Sequence, residues 1–269
     1  MRGFGPRACA TGSQFADVTL RTRYIAWTTL PRAKRERICF YNYKYLVCRA
    51  KSFYNIPMNY ESSCCVIISA AEIKNYKKIK TFISGKAFII ACDGGLKHLK
   101  KLGLKADLII GDFDSFKGSL PRGVETISLP CEKDDTDTFF AVKEGLKRGF
   151  RNFILAGVIG QRFDHSLCNL SALLFLFQKG AKAKIIDDYS SMEVVASQSV
   201  EISYDECSYF SLMCLNGPAE DITITNAKYP LEKGKISPDY QYGISNEVLK
   251  NKKASVTVGK GCLCLIKIW

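Results

Sequence analysis

From Cys64 onward the chain alternates two hydrophobic patterns. Cys64–Ile68 is an uninterrupted apolar run, as expected of a strand covered on both faces. Ile73, Tyr76, Ile79 and Ile83 then recur at helical spacing. Ala87–Cys92 predicts a second strand, followed by Asp93-Gly94-Gly95 and a helix marked by Leu96, Leu99 and Leu102. Leu108–Ile110, closing on Gly111, and Glu125–Leu129 predict two more strands. Thr136–Arg148 predicts a helix with Phe139, Val142 and Leu146 inward and Gly149 as its stop. Phe153–Leu155, a helix over His165–Gln178 and a strand over Ala183–Ile186 complete the series. The alternation predicts an α/β fold, an open and mostly parallel sheet with helices on both faces.

Past about Ser190 the period changes. Met192–Ala196, Val200–Ser203, Tyr209–Cys214, Asp221–Ala227, Ala254–Val258 and Cys262–Ile268 are short, β-branched or aromatic runs with turn residues between them. They predict a smaller all-β domain, sandwich-like or barrel-like. The expected division is a leader over 1–57, an α/β domain over 58–190 and a β domain over 191–269.

Charge separates the leader from the rest. The formal charge is +13, yet residues 1–57 carry only two acids, Asp17 and Glu36, and eight of their eleven bases are Arg. Three readings fit: translated upstream sequence with Met58 as the working start, a targeting peptide, or a basic arm for nucleic acid. The first is favoured, because aromatics such as Trp27, Phe40 and Tyr41 follow no amphipathic repeat. Nothing downstream supports a nucleic-acid partner. The longest charge-free apolar stretches, His165–Gln178 and Cys207–Ala219, are 14 and 13 residues long, short of the ~20 that span a bilayer. No CxxC pair occurs among the twelve Cys, and most of those in the body lie in apolar runs. Reduced, buried thiols in a cytoplasmic protein are the expectation.

Open parallel sheets take ligands beyond the carboxyl ends of their strands, and in this chain those ends gather acids. They are Asp93, the segment Gly111-Asp112-Phe113-Asp114-Ser115, the segment Lys133-Asp134-Asp135-Thr136-Asp137, and Arg162-Phe163-Asp164-His165. Asp112 and Asp114 are two apart, so both face one way in an extended segment. Two carboxylates ~4 Å apart repel by roughly 4 kcal/mol at an effective dielectric near 20. A divalent cation, Mg²⁺ for an all-oxygen set, resolves this most simply. Singly, the acids have structural explanations: Asp134 or Asp135 as a helix N-cap, Asp93 and Asp164 as caps of the helices they precede. Their joint occurrence at four strand ends singles them out. Gly94 and Gly95 would let backbone amides approach a phosphate. Lys133 and Arg162 are candidate phosphate cations, with a salt bridge to Asp164 equally open for Arg162. His165 orients Asp164 or packs at its helix start.

In order, Asp93-Gly-Gly95, Gly111-Asp-Phe-Asp-Ser115, Glu132-Lys-Asp-Asp-Thr-Asp-Thr138, Arg162-Phe-Asp-His165 with Asn169, and Gly243-Ile-Ser-Asn-Glu247 resemble the thiamine pyrophosphokinase (thiamine diphosphokinase) family of bacterial type. The resemblance spans most of 64–269 and leaves out the leader. It implies pyrophosphoryl transfer from ATP to thiamine, an α/β catalytic domain, a β domain that helps bind thiamine, and a homodimer with shared sites. By motif position, Asp93, Asp112, Asp114 and Asp137 would handle Mg²⁺ and phosphate. Arg162 and Asp164 would contact ligand, and Ser245 and Asn246 would border the thiamine pocket. Ser115, Thr136, His165 and Asn169 fall in the same motifs and count as substrate-contacting positions. Gln161 and Ala106 stand where the family often has Gly and Pro. A Mg²⁺-dependent nucleotide or phosphate hydrolase and a non-catalytic thiamine or nucleotide binder are the alternatives.

Overall fold

Cys64–Ile68 forms β1, which lies between β2 (Phe88–Cys92) and β5 (Asn152–Ala156) and pairs in parallel with both. The computed structural model describes residues 64–83, 85–113, 120–130, 132 and 134–269. The expectations for residues 1–57 and Met58, and for Asp114, Ser115 and Lys133, lie outside these. The remaining elements of the α/β part are α1 (Tyr76–Phe82), a 3₁₀ turn (Asp93–Gly95), α2 (Leu96–Leu102), β3 (Leu108–Gly111), β4 (Glu125–Ser128), α3 (Asp137–Lys147), α4 (Phe163–Gln178) and β6 (Lys182–Ile186). Beyond them run β7 (Ser190–Val195), β8 (Ser199–Ser203), β9 (Tyr209–Cys214), β10 (Ala219–Thr225), β11 (Leu231–Ile236), β12 (Lys253–Lys260) and β13 (Leu263–Ile268).

The main sheet has the order β4-β3-β2-β1-β5-β6-β7-β13-β9. The chain lays β1 to β4 outward in one direction, then crosses to the other side of β1 for β5. That reversal makes β1/β5 a topological switch point, where open sheets leave a crevice at their carboxyl ends. Both faces of β1 are covered, as its unbroken apolar run requires. Cys65 and Ile67 pack with Ala141 and Val142 of α3 and Leu173 and Leu176 of α4. Val66 and Ile68 pack on the opposite face with Ile79 of α1 and Leu99 and Leu102 of α2. All four β1 side chains are fully buried. Burial of each large aliphatic side chain contributes about 1.5–3 kcal/mol.

The antiparallel strands do two things. β7, β13 and β9 extend the main sheet, through Ile185 of β6 opposite Met192 of β7 and Leu265 of β13 opposite both Glu193 and Leu212. β8, β10, β11 and β12 form a separate four-stranded sheet that packs over this extension. The change of texture near Ser190 is therefore a tight turn through which one sheet passes. β13 shows how the layers join: Cys264 faces the helix-covered core, while Leu263 and Leu265 face the sandwich core.

Local details follow from chemistry at the ends. Thr136, not Asp134 or Asp135, caps α3, its hydroxyl accepting from the Phe139 N–H at 3.2 Å. Asn75 caps α1 through the Lys78 N–H, leaving Ile73 buried outside the helix. Neither Asp93 nor Asp164 caps a helix; Asp164 sits inside the first turn of α4, which starts at Phe163. Gly149 ends α3 at φ +94, as its position predicts. Strand β11 was not legible, because Leu231-Glu-Lys-Gly-Lys-Ile236 has no run or alternation. It forms at a sheet edge by pairing with β10 across two register shifts.

Candidate active site

The carboxyl ends of β1, β2, β3 and β5 and the first turn of α3 surround one cleft of about 1010 Å³. Asp93, Asp112 and Asp137 line it, delivered by β2, β3 and α3 respectively. Thr136, Arg162, His165 and Asn169 line it as well. Residues separated by 76 positions thus reach one space because parallel strands end on a common edge.

The acid side depends on two backbone features. Asp93 and Phe113 both sit in the left-handed region, at φ 41 and 57, a conformation few non-glycine residues adopt and one that clusters at functional sites. Gly111 permits the approach of these neighbours: a Cβ there would lie 3.1 Å from the Asp93 Cβ and 3.2 Å from the Phe113 ring. Asp137 occupies the first turn of α3, where the helix dipole favours a negative charge. At the floor, the buried hydroxyls of Ser69 and Thr138 meet at 2.6 Å. Among the described residues no three His, Cys, Asp or Glu side chains are grouped closely enough to hold a metal ion.

On the other side, Arg162 forms a two-pronged ion pair with Asp164, Nε to Oδ1 at 3.0 Å and Nη2 to Oδ2 at 2.7 Å. The guanidinium holds the Asp164 carboxyl far below the usual carboxylate range, and the carboxylate raises the Arg162 pKa in turn. Asp164 is therefore ionised, able only to accept. Asn169 is buried: its Nδ2 donates to the Val158 carbonyl at 2.7 Å, and its Oδ1 has no hydrogen-bond partner among the described residues. His165 is exposed at the start of α4 rather than packed.

Several expected residues do not line the cleft; Asp164 is one, linked to the lining through its pair with Arg162. Gly94 and Gly95 lie under the β1–α1 loop; a Cβ on Gly95 would be 2.1 Å from the Ile68 carbonyl oxygen. Their missing side chains serve this close packing, and neither glycine is among the residues that line the cleft. Ser245 and Asn246 lie beside β9. Asn246 is buried, donates to the Tyr229 carbonyl at 2.7 Å and accepts from the Tyr229 and Glu247 N–H groups. Four strand steps separate β9 from β5, roughly 19 Å at about 4.8 Å per step.

Sequence reasoning missed Ser69, Lys74 and Lys97 around the end of β1, and Asp187, Asp188 and Tyr189 after β6, all of which line the cleft. Applying the strand-end rule to β1 and β6 would have found them. The domain boundary expected between 190 and 191 falls just after Asp187, Asp188 and Tyr189.

The comparisons agree with this geometry. Residues 79–185 match the family model for the thiamin pyrophosphokinase catalytic domain, and residues 196–263 match that for the thiamin pyrophosphokinase vitamin B1 binding domain. The thiamine pyrophosphokinase of Bacillus subtilis is 27% identical over 184 residues, 66% of this chain and 86% of that protein. The crystal structure of the Bacillus subtilis enzyme superposes with a TM-score of 0.68 at 22% identity, over 77% of this chain and 99% of that one. A thiamin pyrophosphokinase family protein from Enterococcus faecalis gives a TM-score of 0.62 at 25% identity, over 77% of this chain and 99% of that one. With both domain models matched in order along its length, the chain belongs to the thiamin pyrophosphokinase family.

Proposed function

We propose that this chain transfers the pyrophosphoryl group of ATP to the primary hydroxyl of thiamine, giving thiamine diphosphate and AMP, in the cleft at the β1/β5 switch point. The observation that carries the assignment to this cleft is the convergence of Asp93, Asp112 and Asp137 from three elements, with Arg162 and Asn169 facing the same space.

The reaction moves a phosphorus centre between two oxygens, so the protein's work is to position the reactants and neutralise charge. Arg162, with Lys133 beyond the described residues, would meet phosphate oxygens. Asp164 would accept a hydrogen bond from the thiamine aminopyrimidine, and the unsatisfied Asn169 Oδ1 offers a second acceptor that a substrate N–H would pair. A wrong substrate leaves such a group unpaired, which is where specificity arises.

The donor set suits Mg²⁺: it is all oxygen, and this ion commonly takes one or two carboxylates and completes its shell with water and substrate phosphates. One or two of Asp93, Asp112 and Asp137 would hold it, with Asp114 as a further candidate and water and substrate phosphates completing the shell; once bound it would neutralise phosphate charge. Ser245 and Asn246 are too far from the cleft of their own chain to border it, which supports a homodimer in which they approach the partner's cleft. Cytoplasmic location is the reading most consistent with the buried thiols of Cys65, Cys92, Cys214 and Cys264. Among the described residues no helix is long and apolar enough to cross a membrane.

The test is to incubate the protein with ATP, Mg²⁺ and thiamine and to separate the products. Thiamine diphosphate and AMP in equal amounts are expected, abolished by EDTA and by Asp112→Asn. AMP and pyrophosphate formed without thiamine would identify a hydrolase instead.

A further inference from the structure

Among the described residues three cations line the cleft: Lys74, Lys97 and Arg162. Two are engaged. Arg162 is held by Asp164, and the Lys97 Nζ donates to the Ala70 carbonyl at 2.7 Å. Among the described residues the Lys74 Nζ has only Glu72, at 3.7 Å, with both side chains about two-thirds exposed. Such a pair contributes little in water, so the Lys74 ammonium is the least committed of the three.

Its main chain is the opposite. The Asp188 carboxylate accepts from the Lys74 N–H at 2.9 Å (Oδ2) and 3.1 Å (Oδ1), and from the Asn75 N–H at 2.8 Å, across more than a hundred positions of sequence. Asp188 is itself fixed. Its carbonyl accepts from the Trp269 Nε1–H at 3.0 Å, and the Tyr189 carbonyl accepts from the Trp269 backbone N–H at 3.1 Å. The Trp269 indole stacks on Phe82 of α1, with ring centroids 5.6 Å apart. From the α2 side, Lys97 holds the Ala70 carbonyl, and His98 Nε2 lies 2.9 Å from the Ala71 carbonyl. A loop anchored from both flanks carries Lys74, which lines the cleft and keeps its side chain about two-thirds exposed. That is how a binding group is preorganised: rigid support behind it, and its charge left to the ligand.

We infer that Lys74 binds the phosphates of ATP from the β1/β6 side of the cleft and that Asp188 is the residue that positions it. The inference deepens the function proposed above and rests on it. The Asp188 carboxylate is occupied by two N–H donors through three contacts, so its charge is directed into the loop rather than at the phosphates.

The experiment is calorimetric titration of the full chain with ATP and Mg²⁺ in the absence of thiamine, alongside steady-state transfer. Removing one charge-assisted contact corresponds to roughly tenfold or more in affinity. Lys74→Met is expected to weaken ATP binding by about that factor while KM for thiamine changes less than about twofold, and Lys74→Arg to restore most of the binding. Asp188→Ala is expected to weaken ATP binding in the wild-type background and to add little in the Lys74→Met background, because both act through one contact. Asp188→Asn, which keeps one acceptor oxygen, should fall between. Asp188→Ala also lowers Tm, so the double-variant comparison is the decisive measurement for positioning. If Lys74→Met binds ATP as the wild type does, the inference fails while the transfer activity stands. If Asp188→Ala costs the same factor with and without Lys74, its positioning role fails. A wild-type protein that binds ATP but makes no thiamine diphosphate would overturn the functional reading instead.

Discussion

Arg162 and Asp164 clasp each other at the mouth of the cleft through two nearly parallel contacts, although both side chains are more than 60% exposed. In that position the pair adds little to folding stability. In the proposed function its value is to hold an ionised, oriented carboxylate beside the cleft that Arg162 lines.

Asp164→Ala is accordingly expected to leave Tm within about a degree of wild type, as surface pairs of this kind do. The same substitution should raise KM for thiamine more than KM for ATP. Steady-state kinetics with each substrate varied in turn checks this, and equal effects on the two would remove the role given to Asp164.

His98 supplies a pH-dependent stability. It is buried at the base of the β1–α1 loop, with Nδ1 2.8 Å from the Tyr76 hydroxyl and Nε2 2.9 Å from the Ala71 carbonyl. Burial, with Lys97 and Lys101 nearby, lowers its pKa below the ordinary histidine value of 6.5. The unfolded chain therefore binds a proton that the folded chain refuses. Stability from this group is complete above the unfolded pKa and declines as pH falls through and below about 6.5. Thermal unfolding from pH 8 to pH 5 should show a drop in Tm that His98→Gln reduces; an unchanged pH slope in the variant would assign the loss to other groups.

Gly95→Ala should be severe. The added Cβ would meet the Ile68 carbonyl oxygen at 2.1 Å, where the nearest atoms are main chain. Neither side can yield without moving β1 or the 3₁₀ turn that carries Asp93. The expected result is overpacking of about 1–3 kcal/mol or more, seen as a lower midpoint in urea. Gly180→Ala is the contrasting variant: no atom lies within 4 Å of its Cβ, and only the positive φ of +70 opposes the change.

Thiol chemistry should divide by burial. Desolvation pushes the Cys92 and Cys264 thiols up to about 12, and the thiolate is the reactive form. In the native protein, alkylation at pH 8 followed by peptide mass mapping should spare Cys65, Cys92, Cys214 and Cys264. In urea all four should react. Labelling of Cys92 in the folded state would mean that the cleft floor opens.

How much of this was legible in the sequence depended on the range of the interactions. The strands of the parallel sheet and the four described helices were readable because each is specified by its own period: an unbroken run for β1, helical spacing for α2, a turn glycine at Gly149. Asp93, Asp112 and Asp137 were legible as candidates because strand ends can be located once strands are. Edge pairing was not legible. β11 has a polar sequence and exists only because β10 lies beside it.

By itself the sequence determined the α/β layering, the strand ends on which the acids sit, and the motif order of the family, since all of these are local in the chain. Tertiary structure decided the rest. Whether β7, β9 and β13 continue the main sheet depends on hydrogen bonds between strands far apart in sequence, and β13 could take two faces in two cores only after both layers had met. The β1–α1 loop is likewise shaped by Asp188, more than a hundred positions away. No local pattern encodes such a contact, because the backbone N–H groups of Lys74 and Asn75 donate to a carboxylate from wherever the sheet order brings one.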